Sequence, residues 1–140
     1  MNKTVAAVCC SIIALTACGD SNAKSSGSAA FCNNVSTLGS LTKGTADAMA
    51  MQPADAKKDF QVLATKITAL KVGAPADLVA TIDTVAARFT LEATAESMMA
   101  TDPKGGTEET RMLADHKTAD DAAIAKLIAA ANSNCKINIS

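Results

Sequence analysis

The 140-residue chain contains no tryptophan or tyrosine, only three phenylalanines (Phe31, Phe60 and Phe89), three prolines and a single histidine. Without aromatic platforms it cannot stack sugars or nucleobases in the usual way. Thirteen basic residues against fourteen acidic ones give a formal charge of −1, so no basic footprint for nucleic acid exists. A Ser/His/Asp or Cys/His arrangement would have to use His116, and no serine stands in a Gly-x-Ser-x-Gly motif. A ferritin-like di-iron centre needs Glu-x-x-His on two helices, which one histidine cannot supply. There is no phosphate loop and no Cys-x-x-Cys pair. These absences point away from an enzyme: no catalytic residue, metal centre or cofactor is assigned.

What is present begins with a leader. Lys3 is the only charge before an apolar run from Val5 to Ala17. The run is shorter than the about 20 residues needed to span a bilayer, and with its basic start and small closing residues it reads as a signal peptide over residues 1–17. The motif Leu15-Thr16-Ala17-Cys18 resembles the lipobox of bacterial lipoprotein precursors. The resemblance implies cleavage before Cys18, a diacylglyceryl thioether on its sulfur and, in many bacteria, a further acyl chain such as palmitate on the new amino terminus. Two or more chains anchor a protein stably, where one does so only marginally. The expected location is therefore extracytoplasmic, lipid-anchored to the bacterial cell membrane or outer membrane. Gly19, with Asp20 one place later, is compatible with sorting to an outer membrane in a host that has one.

Removal of the leader leaves about 123 residues, one ordinary domain. Cys9 and Cys10 depart with it and Cys18 carries lipid. Cys32 and Cys135 remain as a pair in an oxidising compartment. Their bridge would close a loop of about 104 residues, worth roughly 4 to 5 kcal/mol in the chain-entropy view. A redox or metal pair is the alternative, without the usual spacing to favour it. Residues 18–30, rich in Ser, Gly, Ala and Asn, read as the lipidated cysteine and a flexible tether with a span of about 20 Å.

Alanine abundance and period-3.6 stripes predict an all-α domain over residues 31–140. The first helix is expected from about Ala29 to Met51, on the stripe Phe31, Val35, Leu38, Leu41, Thr45 and Ala48, with Gly39 and Gly44 as weak points. The second opens at Pro53 and carries Ala56, Phe60, Leu63, Ile67 and Leu70 until Gly73. The third starts at Pro75 with Leu78, Ile82, Val85 and Phe89. Past Phe89 the same face meets Glu92 and Glu96, so a bend or phase shift near Thr90 is expected in preference to two unpaired inward carboxylates. Thr101–Gly106 reads as a turn, Thr107 as the cap of a short helix bearing Met112, Leu113 and His116, and Thr118 as the cap of a last helix with Ile124, Leu127, Ile128 and Ala131 inside. Ile137 and Ile139 form a short extended tail.

The expected fold is a four-helix up-down bundle with a short extra helix, closed by one disulfide. That topology brings Cys32 and Cys135 to one pole, from which the tether also leaves. The order lipobox, tether, Cys, helices, Cys is similar to a class of small actinobacterial lipoproteins; the similarity is one of layout and implies no activity. At the other pole the topology gathers Met49, Met51, Met98, Met99, Met112 and His116 as a candidate ligand site. Three readings stand, in descending order: packing at a bundle end, an adaptable apolar surface for a peptide or lipid-like ligand, and a thioether–imidazole site for Cu(I). The expected function is a membrane-anchored, non-catalytic envelope module that binds a protein, peptide or small apolar ligand and no nucleic acid. Periplasmic copper binding and a purely structural or inhibitory role are the alternatives.

Overall fold

The computed structural model describes residues 28–140. The signal peptide, the lipidation of Cys18 and the tether up to Gly27 lie outside the described residues. Five helices follow in order: α1 (Ala29–Leu38), α2 (Leu41–Met49), α3 (Pro53–Ala69), α4 (Ala76–Thr101) and α5 (Pro103–Cys135). Among the described residues there is no strand, and no helix is long and apolar enough to cross a membrane.

The single first helix expected from the stripe is two helices. Gly39 takes a φ of +73°, where a side chain is disfavoured. Ser40 then caps α2, its hydroxyl accepting from the Lys43 amide. The stripe itself holds: Phe31, Val35, Leu38, Leu41 and Ala48 are buried on both sides of the break. Ser28, whose side chain accepts from the Phe31 amide, caps α1, so Ser28–Ala30 already belong to the helical domain.

α3 begins with Pro53 at its first turn and ends in a tightened turn, Leu70 to Val72 bonding three residues back, before Gly73. α4 starts one residue after Pro75 and continues unbroken through Thr90. Of the two carboxylates that an unbent α4 would point inward, Glu96 is half-buried. Glu92 is only 12% exposed, but it accepts from Arg88 one turn earlier. The buried face beyond Phe89 passes to Ala93 and Ala95.

The largest departure lies after α4. The expected turn, short helix and last helix are one helix of 33 residues. Asp102 alone makes the corner, and Pro103 opens α5. Gly105 and Gly106 are helical, and neither Thr107 nor Thr118 is a cap. The glycines serve packing: a Cβ on Gly106 would lie 2.7 Å from the Met99 backbone nitrogen, so bare backbone lets α5 close on α4.

α4 packs along both α3 and α5, while α1 and α2 lie against α3. Lys57 reaching Ser97 and Lys71 reaching Asp83 show that α3 and α4 run antiparallel; Arg88 facing Asp120 shows the same for α4 and α5. Phe60 and Phe89 stack across the α3–α4 interface with centroids 6.2 Å apart. The core gathers Phe31, Ile67, Leu70, Ile82, Val85 and Leu127 around them.

Cys32 and Cys135 form the expected disulfide, their Cα atoms 5.2 Å apart. Lys136 turns the chain with a φ of +59°, which costs a non-glycine residue about 1–2 kcal/mol. The tail offsets this by burying Ile139 completely, worth about 1.5–3 kcal/mol. The Leu41 amide donates to the Ile139 carbonyl at 2.8 Å, so the tail also supplies the start of α2 with an acceptor.

Candidate functional site

Three of the six candidate ligand residues line clefts, each a different one. Met49, at the end of α2, stands 67% exposed over an apolar cleft of about 270 Å³. Leu41, Thr45 and Ala46 of α2, Phe89 of α4 and Ile124 of α5 form its walls. Met98 lines a different groove of about 690 Å³ between α3 and α4, among Ala64, Ala93, Thr94 and Ser97. His116 is exposed and lines a third cleft with Leu91, Arg88 and Asp120. Met98 stands nine residues beyond Phe89 on one helix, about 13 Å along α4 from that wall of the first cleft. Met99 rests on Gly106 at the α4–α5 corner, and Met51 and Met112 are exposed.

Each cleft follows from local sequence. Thr42, Thr45, Ala46 and Met49 lie three or four apart, so one face of α2 presents them together. The wide α3–α4 groove exists because Ala64 and Ala93 meet there where larger side chains would fill the space. Its lining is partly polar, with Lys57 Nζ donating to Ser97 Oγ at 3.0 Å.

Arg88 joins the first and third clefts, lining both. Its guanidinium donates to Glu92 Oε1 through Nε and Nη2, at 2.9 and 2.6 Å, and lies 3.6 Å from Asp120 Oδ2. All three side chains are at least four-fifths buried. Two carboxylates thus hold one guanidinium, which fixes the cleft wall and leaves Arg88 little capacity to attract an anionic ligand. Helical spacing alone did not mark this cluster. The Arg88–Glu92 interval of four was the available signal, and Asp120 comes from another helix.

The other ion pairs among the described residues are superficial. Lys43–Asp47 and Lys117–Asp121 pair along exposed helix faces. Arg111 hydrogen-bonds Glu108 and attracts it electrostatically, holding that carboxyl below its ordinary range and raising the guanidinium. Among the described residues no group of three His, Cys, Asp or Glu side chains is placed to hold a metal ion. The chemistry on offer is accommodation: an apolar cleft with a mobile thioether at its mouth and a rigid ionic wall. Compared with family models, with curated proteins and with solved structures, the chain has no match.

Proposed function

We propose that this chain is the precursor of a lipid-anchored, extracytoplasmic bacterial protein whose helical domain is a non-catalytic binding module for a protein, peptide or small apolar ligand. The domain reads as an up-down bundle in which α1 and α2 together form one arm and α3, α4 and α5 the other three. The leader ending at Leu15-Thr16-Ala17-Cys18 carries the membrane assignment. The disulfide agrees with an oxidising compartment.

The observation that carries the binding assignment is the placement of Met49, a flexible apolar side chain left 67% exposed at the mouth of an apolar cleft. Leaving such a side chain in water forgoes burial worth roughly 1.5–3 kcal/mol, and methionine surfaces repack readily around partners. The test is native mass spectrometry of the exported, processed chain purified without chelators. A retained apolar molecule or peptide that is lost in Met49→Glu supports the reading. A retained copper ion replaces it with the copper-binding alternative. Metabolic labelling with radioactive palmitate, abolished in Cys18→Ala, tests the anchor separately.

A further inference from the structure

The large apolar side chains divide by type. Among the described residues, the buried core contains phenylalanine, leucine, isoleucine, valine and alanine and no methionine. The exposed large apolar residues are Met49, Met51, Met99 and Met112, with Val62 and Val72. Methionine used only to fill gaps belongs inside; here Met49, Met51, Met99 and Met112 are exposed and Met98 is half-buried. Other oxidisable side chains are scarce. Tryptophan and tyrosine are absent from the sequence, and Cys32 and Cys135 are already joined. A two-electron oxidant meeting this domain therefore finds thioethers first.

One of the four exposed thioethers is coupled to the fold. A Cβ on Gly106 would lie 2.7 Å from Met99 Cγ and Sδ, so that sulfur occupies the space a side chain would take. The Met98 methyl likewise occupies the space of a Cβ on Gly105. Asp102, the one-residue corner, accepts from the Gly106 amide at 2.9 Å and donates to the Met98 carbonyl at 2.6 Å. The closure of α4 on α5 at this end is thioether on bare glycine backbone.

We infer that Met99 is an oxidation site whose modification opens the α4–α5 corner. A hydroperoxide is the co-reactant. Its O–O bond breaks, one oxygen bonds to the Met99 sulfur as a sulfoxide, and the other leaves as water or an alcohol. The sulfur loses two electrons and the peroxide gains them. Two thiols reverse the step, leaving as a disulfide and water. The sulfoxide oxygen is polar, needs water and has no room between Met99 and Gly106, so the corner yields. Oxidation of Met49, Met51 and Met112 adds polarity where solvent already is and leaves the corner closed.

The test treats the full chain with hydrogen peroxide, maps sulfoxides by peptide mass and follows hydrogen exchange of residues 102–110. The triple variant Met49→Leu, Met51→Leu, Met112→Leu leaves the corner untouched. In it, exchange of that segment is expected to rise about tenfold in step with Met99 oxidation, as local opening demands. Met99→Leu in the same background abolishes the rise. The inference is overturned if Met99 becomes a sulfoxide with exchange unchanged, if Met99 stays reduced while Met49, Met51 and Met112 of the unsubstituted chain are oxidised, or if the rise follows Met98 instead. These readouts need no ligand and no anchor, so they stand apart from the binding assignment.

Discussion

The two ends of α5 are secured in opposite ways. At its C-terminal end, segments far apart in sequence meet: Cys32 bonds Cys135, the Ser28 amide donates to the Gly73 carbonyl, and Leu41 to Ile139. At its N-terminal end, about 48 Å away by helix rise, the contacts are between near neighbours, Met98 and Met99 with Gly105 and Gly106 across Asp102. Bringing distant segments together carries a loop-closure cost that grows with length, and a covalent bond with main-chain hydrogen bonds meets it. A corner of one residue closes almost without that cost and is held by local main-chain hydrogen bonds through Asp102 and by side-chain contact. It is also the less satisfied end: Glu109 buries one carboxylate oxygen with no hydrogen-bond partner. The lesson is that one end is built to hold and the other to yield.

The strongest way to break this contrast is to remove the covalent tie. The double variant Cys32→Ser, Cys135→Ser is expected to lose about 2–5 kcal/mol in urea unfolding, with the largest gain in hydrogen exchange at α1 and the tail. A uniform gain over the whole domain would show that the bond supports both ends equally. Next comes the ionic tie between them. Arg88→Met leaves Glu92 and Asp120 without their cation in a site where each is about nine-tenths buried. Allowing for residual solvent, a loss of about 2–4 kcal/mol is expected from the same unfolding curves.

The corner is sharpened by two adjacent glycines. A methyl on Gly106 meets the Met99 backbone, which cannot turn aside, whereas one on Gly105 meets the flexible Met98 methyl and the Asp102 carboxylate. Gly106→Ala is therefore expected to destabilise by about 1–3 kcal/mol. Gly105→Ala is expected to be near neutral or stabilising, since Ala gains up to about 1 kcal/mol over Gly in a helix. Equal melting temperatures for the two variants would remove the close-packing account of the corner.

The smallest effect concerns the exposed face of α5 beyond the corner. Glu108 has a lowered carboxyl pKa because Arg111 hydrogen-bonds and attracts it. A carboxyl depressed in the folded state contributes stability above its unfolded pKa and loses it as pH falls through the folded value. With both side chains largely exposed, the visible signature is the titration itself. In carbon-detected NMR, Arg111→Ala is expected to shift the Glu108 midpoint upward while the melting temperature hardly moves.

Much of the fold was legible in residue spacing. The faces of α3 and α4, from Ala56 through Leu70 and from Leu78 through Phe89, are buried as their period demands. The disulfide followed from cysteine arithmetic and helix order. Local signals failed where a residue has two uses. Gly105-Gly106 after Asp102-Pro103 reads as a turn because glycine and proline mark turns; in the structure the same lack of Cβ admits a neighbouring helix. Glu92 looked like a buried liability because its partner's rotamer is invisible in a sequence, yet Arg88 sits one turn away. The candidate site was legible as residue types and not as a place. Helical order predicts which end of a bundle a methionine occupies, but not which cleft it lines.

The sequence by itself determined the helical class, the buried stripes and the cysteine pair, because each depends on periodicity or count along one chain. Only the tertiary structure decided that Gly39 breaks the first helix while Gly105 and Gly106 do not. It also decided that Met49, Met51, Met99 and Met112 are exposed, and that Arg88 is shared between Glu92 and Asp120. These depend on which neighbour occupies the space beside a residue, and that neighbour is set by packing between helices, not by the order of residues within one.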